Sequence, residues 1–195
     1  MKRGRRGLAS VMVRVAMGAA LLAGSSQVGA SVSVGASVVD LAERSSSVAV
    51  VTPIESRSEW QGRRIVTVHR LGVESVVAGE APGSEVVVKT LGGRVGSVAQ
   101  RVEGEAEFVR GARSLVFLAK AEQGARRVTA RGQGQFRIAP NAAGKLALFR
   151  NPRLGHLLRA RDARSAEAAV ETLHGASLER GLDRIVSTWR QVHAR

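Results

Sequence analysis

Thr90 to Leu118, TLGGRVGSVAQRVEGEAEFVRGARSLVFL, is the stretch on which the reading of this chain turns. It opens as one strand ends and passes through Gly92, Gly93, Gly96 and Gly104. It closes on the uninterrupted apolar run Leu115-Val116-Phe117-Leu118. Glycines at this density mark turns and loops rather than a helix. A short apolar run bounded by such signals reads as a buried strand. The remainder of the chain supplies strands and helices around this loop-and-strand unit.

Working outward, Ser114–Lys120 reads as the strand that ends the glycine stretch, and Glu85–Leu91 as the strand that leads into it. Valine is frequent on both sides; its stiff χ1 suits a pleated surface. Arg64–Val77 reads as a long strand whose apolar phase changes, from Val66 and Val68 to Leu71 and Val73, which predicts a bulge near Arg70–Gly72. Ser47–Ile54 is an earlier strand with Val48, Val50 and Thr52 on one face. Pro53 cannot donate to a ladder, so that strand lies at an edge or bulges there. Trp60-Gln61-Gly62 reads as the turn after it and Ala78–Gly83 as a loop. Glu122–Ala125 is a hairpin turn into a strand over Arg126–Ala130, and Phe136–Ala139 and Leu146–Phe149 are two further short strands.

Helices are expected at both ends of this β region. Ser37-Val38-Val39-Asp40 has the serine and the acid of a capping box, opening a short helix to about Arg44 with Val38, Leu41 and Ala42 on one side. Past Asn151-Pro152, Ser165–Leu173 is helical in composition and Gly175 suits its C-terminal end. A last helix begins at Ser177. Leu178, Leu182, Ile185, Val186, Trp189 and Val192 recur at spacings of three and four, which puts them on one stripe with Trp189 as anchor. Gly181 within it costs about 1 kcal/mol relative to alanine. The fold expected is mainly β (α+β): a small antiparallel OB-like barrel or strongly bent sheet over 31–150. A short N-terminal helix precedes it, and a basic linker with C-terminal helices over 151–195 packs on it.

Residues 1–30 read as a signal peptide. Lys2, Arg3, Arg5 and Arg6 form a basic start, a mostly apolar run follows from Leu8 to Ala23, and Val28-Gly29-Ala30 offers small residues for cleavage. The run is shorter than the ~20 residues that span a bilayer. A secreted or periplasmic protein beginning near Ser31 is therefore expected. The chain has no cysteine, so neither disulfides nor thiolate chemistry enter the account. The formal charge of +14 falls by the five basic residues of the leader (with Arg14) to +9. Such an excess attracts polyanions, namely an anionic polymer or a membrane surface. Only Lys2, Lys89, Lys120 and Lys145 are lysines, so codon bias in a GC-rich genome is a second source of the arginine excess.

Few residues suggest chemistry. His69, His156, His174 and His193 have no partner at metal-ligand spacing, and no cofactor or metal is expected. His69 reads as a partly exposed strand residue. A serine nucleophile needs a base held by an acid. The aspartates Asp40, Asp162 and Asp183 all fall on or near helices, which leaves a glutamate as the acid of any Ser/His site. Glu103, Glu105 and Glu107 share a side if extended, and read as a solvated loop face. Arg131-Gly132-Gln133-Gly134-Gln135-Phe136 echoes an RNA-recognition signature, but Gln133 and Gln135 have no aromatic face for a base, so specific nucleic acid binding is not expected. Two binding features stand out. Arg150, Arg153, Arg159, Arg161 and Arg164, interleaved with Leu154, Leu157 and Leu158, form a candidate anion-binding segment. Gly92, Gly93, Arg94, Gly96 and Gln100 form a candidate partner loop.

Val76-Val77-Ala78-Gly79 with Pro82-Gly83, the glycine stretch with Gln100, Phe108 and Gly111, the run Leu115–Leu118, and Gln133-Gly134-Gln135-Phe136 carry a resemblance. Over roughly residues 38–138 the chain resembles a group of small secreted bacterial, myxobacteria-like proteins of uncharacterised function, with a Ser-x-Trp element matched here by Ser58-Glu59-Trp60. The resemblance implies a glycine-rich β-barrel domain, loosely similar to netrin-like OB modules that depend on cysteines missing here. It implies no catalytic residue. Ala112 and Pro53 depart from the pattern, which has a Gly-Glu pair after the glycine at 111 and a β-branched residue at 53. The function expected is a secreted, non-enzymatic binding domain of the cell envelope or extracellular space. The alternatives are an inhibitor or accessory factor of a secreted protease, contacting a secreted protein partner, and a hydrolase with an atypical Ser/His/Glu site.

Overall fold

The computed structural model describes residues 33–154, 157–158 and 169–194. The segment 1–30 expected as a signal peptide, the first four residues of the helix expected over Ser165–Leu173, and Arg159, Arg161 and Arg164 lie outside them.

The described chain is mainly β, with a six-stranded antiparallel sheet as its centre. In chain order the elements are β1 (Ser33–Val34), α1 (Val38–Glu43), β2 (Ser47–Gln61), β3 (Arg64–Gly79), β4 (Glu85–Leu91), β5 (Gly93–Val95), β6 (Val98–Gln100), β7 (Ser114–Leu118), a 3₁₀ turn (Arg131–Gly134), β8 (Gln135–Pro140), β9 (Leu146–Arg150), β10 (Leu157–Leu158), α2 (Ala169–Thr172) and α3 (Leu178–His193). The sheet order is β4-β3-β2-β7-β8-β9, with β5 and β6 as a separate hairpin and β1 beside β10.

Strand β7 carries the fold because all five of its residues are buried. Side chains alternate across a strand. Leu115 and Phe117 therefore enter one core with Val48, Val50, Phe136, Leu148 and Ile185, while Val116 and Leu118 enter a second with Ala49, Val51, Leu71, Val88 and Val128. The first core is covered by helices. Leu41 of α1 and Val170, Leu173, Leu178, Leu182, Ile185 and Trp189 of the C-terminal segment all pack into it. Helix α1 begins in the expected capping box, with the Ser37 side chain and Asp40 exchanging bonds across the first turn.

Helix α3 lies so close to β9 that Gly181 is required for space rather than for conformation. A Cβ there would stand 2.5 Å from Leu148 Cδ1. Trp189 closes on the end of β3 in the same way, with Cζ2 2.6 Å from where a Cβ on Gly79 would sit.

Strands β2 and β3 form a hairpin much longer than the rest of the sheet, 15 and 16 residues, joined by the two-residue turn Gly62-Arg63. Gly62 has φ +60°, the conformation a first turn residue needs in such tight hairpins. Trp60 and Gln61, expected in the turn, are strand residues instead, because the pairing Trp60↔Ile65 and Gln61↔Arg64 continues to the tip.

The expected bulge near Arg70–Gly72 sits on the opposite strand. Pro53 pairs with Leu71 and Glu55 with Arg70, which leaves Ile54 as the extra residue. This agrees with the reading of Pro53 as a bulge position. From Ile65 to Leu71 the interior residues of β3, Ile65, His69 and Leu71, keep one parity, so no phase change is needed on β3 within that span. Two more irregularities leave Val77 and Glu74 unpaired on β3. The Glu74 carboxylate is bonded by Thr52 and by Arg113 Nε at 2.7 Å. Slight burial raises its pKa, but the Thr52 and Arg113 bonds outweigh that and hold it below the ordinary carboxylate value.

The six-stranded sheet is not a closed barrel. The segment expected as a fifth strand, Arg126–Ala130, forms only single bridges, Val88↔Arg126 on one side and Leu118↔Val128 on the other. The turn before it forms as expected, with Glu122 opposite Ala125.

Truncating Phe117 to alanine empties a fully buried site and should cost about 3–5 kcal/mol in urea unfolding. Gly181→Ala is the more discriminating test. Helix propensity alone favours alanine by about 1 kcal/mol. The clash with buried Leu148 should reverse the sign and lower stability by about 1–2 kcal/mol.

Candidate functional site

Beyond Pro53 the β2–β3 hairpin leaves β7 behind, and polar side chains occupy its inner face. Cross-strand partners project to the same side. Ser56 with His69, Ser58 with Thr67 and Trp60 with Ile65 thus form successive rungs.

At the outer polar rung, hydroxyls fasten the start of the glycine stretch. Thr67 Oγ1 donates to the Gly92 carbonyl at 2.7 Å. Its hydroxyl hydrogen is then committed, so Ser58 donates across the 2.9 Å gap to it. Ser58 Oγ in turn accepts from Arg94 N–H at 3.3 Å. The chain passes over this rung at Gly93, where φ is +134° and a Cβ would overlap both hydroxyl oxygens. Two further bonds fix the hairpin: Gly92 N–H donates to Ile65 O at 2.8 Å, and Ile65 N–H donates to Gln100 Oε1 at 2.7 Å.

Four of the five residues of the expected partner loop, Gly92, Gly93, Arg94 and Gln100, are therefore brought together as the root of hairpin β5–β6. Arg94, Gly96, Ser97, Val98 and Ala99 are exposed, Val98 at 47 %. The element is a pinned hairpin with a free tip.

The inner polar rung holds His69. It is 6 % exposed, so the expectation of a partly exposed strand histidine is corrected. Ser56 Oγ lies 2.7 Å from Nδ1 and Thr90 Oγ1 lies 2.9 Å from Nε2. The Phe108 ring leans on the imidazole at 4.9 Å. Burial lowers the His69 pKa to about 4, so the ring is neutral at physiological pH. A neutral imidazole donates through one nitrogen and accepts through the other, which satisfies both hydroxyls. Hydroxyls, not a carboxylate, flank this histidine, so the Ser/His/Glu arrangement does not assemble here.

Phe108 is held in place by a side-chain device on β8. Gln135 Nε2 donates to Glu107 O at 2.6 Å, and Glu107 N–H donates to Gln135 Oε1 at 2.8 Å, as a neighbouring strand would. Gln133 does the same for the N-terminal segment, accepting from Ala36 N–H at 2.8 Å and donating to Val34 O at 3.0 Å. Both glutamines of the RNA-like signature are spent on backbone inside the fold.

The candidate anion-binding segment is only partly described. Arg153 Nη1 is bonded to Glu107 Oε1 at 2.6 Å, so its charge is matched. Arg150 is exposed, and beside it Arg137 lies over Phe149 at 6.0 Å. Arg126, at the foot of the sheet, is engaged by Ser46, by Ala119 O and by Glu80. Among the described residues no group of three histidine, aspartate or glutamate side chains could hold a metal ion. No helix among them is long and apolar enough to cross a membrane.

The polar seam was missed in the sequence although a signal exists: Ser56 and Ser58 alternate on β2, as Thr67 and His69 do on β3, all at the inward parity. Comparison of the chain with protein-family models, with curated proteins and with solved structures gave no match.

Two outcomes follow from this geometry. Gly93→Val should unfasten the hairpin, raising amide exchange at Arg94 and Gln100 while leaving β7 protected. Lowering the pH should destabilise the protein through His69. The unfolded chain takes up a proton near 6.5 and the folded chain only near 4, so stability present above pH 6.5 is lost between 6.5 and about 4. A pH series of melting temperatures should fall less steeply in that window for His69→Gln than for the parent.

Proposed function

We propose that this protein is a secreted or periplasmic, non-enzymatic binding module whose contact element is the hairpin β5–β6. The observation that carries the reading is the contrast within that hairpin. Its root is tied to Ser58, Ile65 and Thr67, while its tip from Gly96 to Ala99 is exposed. A rigid loop binds at lower entropic cost than a mobile one. The hairpin therefore suits a protein partner, in the manner of an accessory factor or inhibitor of a secreted protease. Arg94 gives it a preference for acidic surfaces. The leader-like residues 1–30 support secretion, and the resemblance to small secreted bacterial proteins agrees with it.

The same reading extends to the fold. The segment Ala125–Val128 stands as the missing stave of an OB-like barrel: Arg126 exchanges backbone bonds with Val87 and Lys89, and the Arg127 carbonyl accepts from Ala119 N–H at 2.9 Å. The arginine run from Arg150 to Arg164 is a weaker basis for function, since Arg153 is already matched by Glu107. Affinity for a membrane surface or an anionic polymer would then rest on Arg150 and on residues outside the described ones.

A photo-crosslinking residue at Val98 tests the reading in the secreted fraction of producing cells. A discrete, saturable adduct should form from Val98, be absent from the same residue at exposed Leu146, and fall severalfold when Gly93→Val frees the hairpin. Equal labelling from both positions, or no dependence on Gly93, would count against it.

A further inference from the structure

The distal half of β2 is an open sheet edge. Pairing with β7 ends at Val51↔Ser114, and among the described residues no strand pairs with Ile54–Gln61 on the side away from β3. Such an edge leaves alternate N–H and C=O groups without a ladder partner and is a template for strand addition. What distinguishes this one is its own side chains. Arg57 and Glu59 are exposed, share a face, and take part in no ion pair among the described residues. Trp60 is 50 % exposed on the other face, where the rung nearer the sheet centre, at Ser56, borders a groove of about 580 Å³ walled by Ile54, Phe108 and Arg110.

We propose that this edge pairs with the same edge of a second copy of the chain, antiparallel about a two-fold axis through Ser58. A two-fold axis perpendicular to the sheet keeps each face with its like, so only registers that pair residues of the same parity are open. Centring on Arg57 sets Arg57 against itself and Glu55 against Glu59, which is repulsive. Centring on Ser56 pairs Arg57 with Glu55, but that glutamate is already held by Arg70 at 3.4 Å, and Trp60 is left outside the paired region. Centring on Ser58 opposes each Arg57 to the Glu59 of the other copy, twice by symmetry.

The same register sets Trp60 opposite Ser56 of the other copy. The indole then enters the groove against Phe108, with the Arg110 guanidinium beside it. An exposed aromatic, an open groove, two unmatched charges of opposite sign and a free edge are thus all satisfied by one isologous arrangement. The dimer continues the sheet through both copies, and the two β5–β6 hairpins emerge on the same face. This inference does not depend on the hairpin's binding role.

Sedimentation equilibrium of the purified protein from about 1 to 100 µM tests it, with a dimer of micromolar or tighter Kd expected. Glu59→Arg and Arg57→Glu should each weaken association by about tenfold or more, since each places like charges across the axis. The double variant R57E/E59R should restore it to within severalfold, because the swapped charges pair again. Trp60→Ala should weaken it without changing the charge. Circular dichroism spectra of the single variants should match the parent, as should melting temperatures taken at concentrations dilute enough for the parent to be monomeric, which separates lost association from lost folding. A parent protein that stays monomeric at 100 µM, single variants that dimerise as well as the parent, or a double variant no better than the singles would overturn the proposal.

Discussion

Strand β7 has to be covered on both faces, and nearly everything else in the molecule answers that requirement. Without cysteine, no crosslink can hold this chain, so stability rests on how completely Leu115, Val116, Phe117 and Leu118 are enclosed. Helices α1 and α3, with the segment before them, cover Leu115 and Phe117. The β3–β4 pair and the return through Val128 cover Val116 and Leu118. The close approaches at Gly79 and Gly181 arise where that cover is tightest.

The β2–β3 hairpin serves two purposes along its length. Its near half is core, with Val48–Val51 sandwiched between β7 and β3. The bulge at Ile54 ends this role and lets the hairpin run on past β7. Beyond the bulge the inner face would have no apolar cover, and serine, threonine and histidine replace valine there. Those side chains hydrogen-bond one another and seize the glycine stretch. The polar seam is thus the structural cost of a projecting hairpin and also the device that fixes the exposed element. A buried hydroxyl or imidazole costs free energy unless bonded, and here each of Ser58, Thr67, His69 and Thr90 is bonded.

Much of this was legible in the residues. The capping box at Ser37, the limits of β4, the buried run of β7 and the stripe of α3 each follow from local pattern, and each appears where the pattern put it. What escaped is what depends on register. The extra residue Ile54 lies on the strand opposite the one whose apolar residues change parity, because Val66 is buried on the outer face while His69 is buried on the inner one. Nothing local in the sequence says that Ser56 meets His69 across 13 residues of chain. Gly181 looked like a helix defect until Leu148, from another element, explained it. The partner-loop glycines were found because turns are local, whereas their attachment to Ser58 and Thr67 was not.

Amide hydrogen exchange resolved to single residues tests the central claim most directly. If two-sided burial of β7 organises the molecule, Val116, Phe117 and their partners Ala49 and Val48 should open only with global unfolding and exchange slowest of all. Arg94 and Ile65, at the hairpin root, should be protected to an intermediate degree, and Gly96 and Ser97 hardly at all. Exchange in Leu115–Leu118 as fast as at the hairpin tip, with the slowest amides elsewhere, would contradict the account.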